Sequence, residues 1–211
     1  MPEITRLSGP NTGIELNFVE RVHTPTDLMR LAVQTHLGGL SLSETRLMLK
    51  SFGIERARST IHNWVNKSDL QPAGGCQQDQ VALDETVVKV NGDRFWLFGA
   101  VDPETGRILH IRLFPQRTIV TTEIFLEELS EKHDLDEPEF LVDKAPWLQA
   151  ALYERGLAFR HETFGDRNPV ERAFQEIKRR TEQFYNTFSH ADPETVDQWL
   201  KALAWKQNAV N

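Results

Sequence analysis

The sequence predicts an α/β protein, a mixed sheet flanked by helices and preceded by a small all-α module. Three observations predict it. Apolar residues recur at helical spacing through residues 25–67. The pattern then changes to short apolar runs broken by the turn signals "NGD" and "DPETG". Beyond residue 115, strand-like and helical runs alternate. The polar, Gly/Pro-bearing stretch "LQPAGGCQQDQ" parts the two regimes. The expected organisation is therefore a helical module over 1–70, a linker over 71–79 and a main domain over 80–211.

Within the module, "TPTDLMRLAVQTHLGG" places Leu28, Leu31, Ala32 and Thr35 on one side and stops at a Gly-Gly pair. In "LSLSETRLMLKSFGI", Ser41 and Glu44 have capping-box spacing, Leu42, Thr45, Met48 and Leu49 form the inward stripe, and the helix ends near Gly53. "ARSTIHNWVNK" supplies a third helix that buries Ile61, Trp64 and Val65 and turns Arg58, Thr60, His62 and Asn63 outward. Helix, glycine-containing turn and a polar-headed helix describe a helix-turn-helix unit. Base readout would need side chains such as Arg58, His62 and Asn63 to reach the major groove, Arg56 and Lys67 would suit phosphates, and Thr60 belongs to the same DNA-binding face. A small helical bundle that contacts protein is the plainer alternative.

In the main domain, "QVALDETVVKVNGDRFWLFGAVDPETGRILHIRLFP" reads as three consecutive antiparallel strands. A helix over about Thr121–Lys132 follows, with Ile124, Phe125 and Leu129 on one side. "EFLVD" is a buried fourth strand, "APWLQAALYERG" a helix, "LAFRHETF" a fifth strand, and two helices finish the chain.

The net charge is −7, but it is unevenly spread: +1 over residues 1–70, −9 over 71–166 and +1 over 167–211. An acidic average argues against a nucleic-acid partner, whereas this distribution leaves both ends able to meet one. The acidity also fits a salt-rich cytoplasm. No apolar run approaches the length of a membrane span, and "MPEITRLSGPNTG" lacks a signal-peptide core, so a cytoplasmic protein with no membrane association is expected. The single cysteine, Cys76, cannot form an internal disulfide.

Three acids occupy related places. Asp84 lies in the first strand, Asp143 closes the fourth, and Glu171 stands in the first turn of the helix opened by "NPVE". First and fourth strands of a mixed sheet can be neighbours, and a following helix can cross their ends. Converged carboxylates repel one another, so such a group takes up protons or a hard cation such as magnesium or manganese. Each acid alone has a plainer reading: a solvent-facing strand residue, a strand-end acid, and a cap glutamate after Asn168 and Pro169.

The words "LDETVVKVNGDRFWLFGAVDPETGRIL", "FLVDKAPW" and "NPVERAFQEIKRR" resemble the DDE transposases of bacterial and archaeal insertion sequences, in the insertion-sequence-six-like group. The resemblance runs from about Ser41 to the end. It implies an RNase H-like catalytic domain behind a helix-turn-helix that binds the terminal inverted repeats. It also implies metal-dependent cleavage and transfer of DNA strands, two Mg2+ or Mn2+ ions, target DNA as the second partner, and at least a dimer on DNA. Carried over by motif, Asp84, Asp143 and Glu171 are the catalytic metal ligands and Lys178 is the basic residue two helical turns on. Asp143 and Glu171 have 27 residues between them, fewer than the family's usual thirty-odd. An RNase H-like nuclease that does not join strands, or a non-catalytic DNA-binding remnant, is the alternative.

Other residues carry less. Arg179 and Arg180 suit a DNA backbone or a solvated helix end. Asp93 and Asp102 belong to hairpin turns, and Glu85 lies on the strand face opposite Asp84. His161 is either near the acids or structural, and Trp96, Trp147, Trp199 and Trp205 read as packing residues.

Overall fold

Local signals in the chain set most element boundaries in the computed structural model, which describes residues 14–16, 18, 23–75, 77–162, 168–183 and 188–209. Cys76 and the side chains of Asn168 and Pro169 fall outside what is described, and with them the expected cap before Glu171. The chain divides into two compact units, Met1–Leu70 and Gln71–Asn211.

The first unit holds α1 (Thr26–Gly38), α2 (Leu42–Ser51) and α3 (Arg58–Lys67). The capping box that opens α2 is complete: Ser41 Oγ accepts from the Glu44 backbone N–H at 3.2 Å, and Glu44 Oε2 accepts from that of Ser41 at 2.7 Å. On α1 the buried residues are Leu28, Met29, Ala32, Val33, His36 and Leu37. This stripe is wider than the expected one and leaves Leu31 and Thr35 half-buried, because α1 packs against both α2 and α3. On α3, Ile61, Trp64 and Val65 are buried as expected.

The second unit is a five-stranded sheet in the order β3-β2-β1-β4-β5, from β1 (Gln80–Val90), β2 (Asp93–Val101), β3 (Ile108–Phe114), β4 (Glu139–Val142) and β5 (Phe159–His161). Strands β1 to β3 form an antiparallel meander, while β4 pairs parallel to β1 and β5 parallel to β4. Asn91 and Gly92, both at positive φ, make the two-residue turn between β1 and β2, a conformation that suits these two residue types. At the next turn Asp102 Oδ1 accepts from the Glu104 backbone N–H at 2.9 Å, the structural role expected of it.

Helices α4 (Ile119–Ser130) and α5 (Pro146–Glu154) cover one face, where Phe125, Leu126, Leu129, Leu148 and Leu152 meet Val81, Leu83, Phe98, Phe140 and Val142. Ile124, expected inward on α4, is 44% exposed, and Leu126 takes its place in the core. α6 (Asn168–Gln183) crosses β1 and β2, and α7 (Pro193–Asn208) lies along β3.

Edge strand β3 is sealed by α7. The Asn208 side chain accepts from the Ile108 backbone N–H at 2.8 Å and donates to its carbonyl at 2.7 Å, and Asp197 Oδ1 accepts from the Leu113 N–H at 2.7 Å. These bonds occupy groups that would otherwise template another strand. No described helix is long and apolar enough to cross a membrane.

Candidate active site

The parallel register of β1 and β4 pairs Gln80 with Glu139, Val81 with Phe140 and Ala82 with Leu141. Two residues further along each strand stand Asp84 and Asp143, side by side where β4 ends and β1 continues. Asp143 is fixed there by its own turn: its Oδ1 accepts from the Ala145 backbone N–H at 2.7 Å, and its carbonyl accepts from Gln149 Nε2 at 3.0 Å. Asp84 Oδ1 accepts from the Glu85 N–H at 2.8 Å. Both aspartates are half-buried, open enough to exchange with solvent.

Across the sheet Asp84 pairs with Gly99 of β2. The space at Gly99 is taken by the ring of Phe174 from α6, so the aspartate lies on the face that α6 covers. On α6, Val170, Phe174 and Ile177 are buried toward the sheet, whereas Glu171 and Lys178, seven residues apart and hence on one stripe, are exposed.

The register thus sets Asp84 and Asp143 at neighbouring ends of β1 and β4, and Glu171 lies on the exposed stripe of α6. Among the described residues no three His, Cys, Asp or Glu side chains are gathered closely enough to hold a metal. The aspartate pair fits a hard divalent cation by donor chemistry, all oxygen and anionic.

On the other face, in line with Val81 and Leu83, Glu85 forms a cluster that sequence reading did not find. Its side chain is only 5% exposed and lies 3.5 Å from Arg117 NH1. The Arg117 guanidinium is held 3.8 Å from the Trp96 ring and 4.5 Å from that of Trp147, four residues beyond Asp143. Burial first, then the charges of Asp84 and Asp143, push the Glu85 carboxyl up to about 7, and Trp147 and Arg117 offset only part of this. Trp96 and Trp147 pack against the core as expected and in addition hold the Arg117 cation, on the sheet face opposite Asp84. Arg117 sits in a loop with no periodicity to mark it.

The expected DNA-binding residues divide similarly. On α3, Arg58, Asn63 and Lys67 are exposed, and Thr60 and His62 half-buried, with the His62 ring 3.4 Å from Asn66 Nδ2. Lys67 Nζ also lies 5.8 Å from the Phe18 ring. Arg56 is committed within its own unit: Nε donates to Thr24 Oγ1 at 2.9 Å, NH2 to the His23 carbonyl at 3.0 Å and NH1 to the Glu55 carbonyl at 2.7 Å. Exposed Arg179 makes two bonds to Glu176, at 2.7 and 2.8 Å. Arg180, expected at a DNA backbone, is 2% exposed because its helical position faces inward, and this removes it from any accessible phosphate-binding surface. His161 pairs with Val142 at the exposed end of β5.

Sheet order and site together define the class: an RNase H-like domain with an aspartate pair where β4 leaves β1. The family model described as a DDE domain matches residues 78–192, and the chain belongs to the DDE transposases of the insertion-sequence-six-like family. An uncharacterized protein of Methanocaldococcus jannaschii is 30% identical over 199 residues, spanning 93% of this chain and 92% of the relative. One of Aquifex aeolicus is 48% identical over 58 residues, 27% of this chain and 48% of the relative. Among solved structures, the catalytic core domain of BIV integrase is similar at a TM-score of 0.46 and 16% identity, over 60% of this chain and 82% of that one. The HTLV-2 integrase catalytic core domain, solved with magnesium in a dimeric form, is similar at 0.48 and 19%, over 65% and 91%.

Proposed function

We propose that this chain is the transposase of an insertion sequence. In this reading the first unit binds the terminal inverted repeats through α3, and the second cleaves and transfers DNA strands as part of at least a dimer on DNA. The observation that carries it is the parallel register that sets Asp84 beside Asp143. Asp84 and Asp143 are the ligands for Mg2+ or Mn2+, and Glu171 completes the set from α6. When bound, a pair of such ions supplies charge neutralisation and a clamp on the attacking and leaving oxygens of an in-line phosphoryl displacement. The protein's part is positioning. The Asp143 turn and the β1 backbone fix two carboxylates, Lys178 offers an ammonium to a DNA phosphate on the Glu171 stripe, and exposed Arg179 supports the same strand.

A second reading is favoured by one observation, that among the described residues no three acids are gathered closely enough to hold a metal: a DNA-binding remnant without catalysis. Labelled element ends incubated with the protein and Mg2+ or Mn2+ separate the cases. Joined product that disappears in Asp84→Asn and Asp143→Asn, with end binding retained, supports the transposase. Cleavage without joining indicates a nuclease, and binding alone indicates the remnant.

A further inference from the structure

Gly99 stands mid-strand in β2, outside the left-handed region, so its backbone does not call for glycine. A glycine there weakens a strand by about 0.5–1 kcal/mol and marks a close approach. The approach is that of Phe174: a Cβ built on Gly99 would lie 2.9 Å from its Cε1, nearer than such carbons approach in folded proteins, and 3.0 Å from its Cζ, tighter than nearly all of them. Gly99 is also the cross-strand partner of Asp84, and partners of this kind project to the same face. The contact therefore lies directly beside the aspartate.

Phe174 is 5% exposed and belongs to the buried stripe of α6, with Val170 and Ile177. Glu171 precedes it by three residues and Lys178 follows it by four, about 4.5 and 6 Å along the helix axis. We infer that Gly99 is a positioning residue: by leaving its side-chain space to Phe174 it sets how closely α6 approaches β1, and so how far Glu171 and Lys178 stand from the Asp84–Asp143 pair. A methyl group at 99 requires the ring to retreat by about 0.5 Å or more, the tolerance within which a catalytic constellation must be held. This inference rests on the proposed catalytic role of Glu171, but its geometric core does not.

The test measures geometry and reaction separately. In a Cys76→Ser background, spin labels at the exposed positions Lys89 of β1 and Gln175 of α6 report the height of the helix by pulsed electron paramagnetic resonance. Gly99→Val is expected to lengthen or split the distance distribution, and Gly99→Val with Phe174→Ala to restore it. Gly99→Ala is the milder variant should valine prevent folding. In unlabelled protein, Gly99→Ala is expected to slow strand joining by about tenfold to a hundredfold with end binding unchanged. Adding Phe174→Leu should recover most of that loss.

An unchanged distance in a folded Gly99 variant overturns the inference. So does a joining defect that Phe174→Leu fails to relieve although thermal stability recovers. A wild-type protein that joins nothing, while the distance moves as expected, overturns the proposed function and leaves the positioning contact standing.

Discussion

Asp84 and Asp143 come from strands separated by the whole β2–β3–α4 excursion, yet the parallel register of β1 with β4 puts them side by side. Two adjacent negative charges repel each other, and a divalent cation between them relieves the repulsion. Asp84→Asn and Asp143→Asn are each expected to lower strand joining by about a hundredfold or more. Either variant should also raise the melting temperature in metal-free buffer and shrink the increase that Mn2+ produces in the wild type. Calorimetry with and without Mn2+, run beside a joining assay, checks all three, and a variant that joins strands normally excludes its aspartate from the site.

Glu171→Gln separates a ligand from a helix cap. Glutamine keeps the hydrogen-bonding reach of a cap but is a much poorer magnesium ligand than carboxylate. Joining should fall by about a hundredfold with the metal-free melting temperature unchanged. Full activity together with a full metal-induced stabilisation would assign Glu171 to capping alone.

Arg117 lies between two indole rings and against a buried carboxylate. Arg117→Ala removes both ring contacts and leaves Glu85 without its cation, so the fold should lose about 1–2 kcal/mol. Arg117→Lys should recover only part of this, since an ammonium lacks the planar face that stacks on an indole. Urea unfolding followed by tryptophan fluorescence measures both, and equal stability of the alanine and wild-type proteins would rule out a structural clamp.

His110 predicts the pH dependence of stability. Its ring is buried, with Nε2 at 2.9 Å from Glu128 Oε2 and Nδ1 at 3.2 Å from Lys132 Nζ. The ammonium can only donate, so Nδ1 accepts and Nε2–H is the donor to Glu128. Burial, above all, holds the imidazole below its ordinary 6.5, although the Glu128 hydrogen bond pulls the other way, while Lys132 and Lys201 add to the lowering. Glu128 is itself held below the usual carboxylate value by His110, Arg112 and Lys201 against its own burial. For a depressed pKa the unfolded chain binds the proton first. The His110 contribution is therefore complete above about pH 6.5 and is lost as pH falls through the folded value, and the Glu128 contribution follows at lower pH. Between pH 8 and 5 His110 pulls the melting temperature down toward acid, whereas Glu85, pushed up to about 7, pulls it the other way. His110→Gln should remove the first effect alone, so its melting temperature should fall less, or rise more, toward acid than that of the wild type.

On the first unit, Arg58→Ala or Asn63→Ala should weaken binding to element ends by about 1–3 kcal/mol and relax sequence preference. Lys67→Ala should weaken binding to all sequences alike and reduce the salt dependence by about one phosphate contact. Arg56→Ala should act differently. Because its guanidinium bonds Thr24, His23 and Glu55, it is expected to lower the melting temperature of the chain with little change in the salt slope. Titrations at several salt concentrations distinguish the three.

Much of this molecule is written in short-range patterns. The Asn91-Gly92 turn, the Ser41–Glu44 capping box, the buried Ile61–Trp64–Val65 stripe and the order of strands and helices all follow from residues within a few positions of one another, where spacing and backbone preference act. The family likeness located Asp84 and Asp143 by their words. What no local pattern contains is register and facing. The wide buried stripe of α1, the outward Ile124 and the inward Arg180 depend on which elements pack against each helix. Glu85, with its strand face assigned correctly from alternation, still feels both aspartates, because electrostatic coupling passes through the sheet. Arg117 meets Trp96 and Trp147 across loops and strands, and Gly99 looks like any strand glycine until α6 is laid over it. Periodicity determines which side of an element is apolar; only the assembled layers determine what stands opposite, since those contacts join residues tens of positions apart.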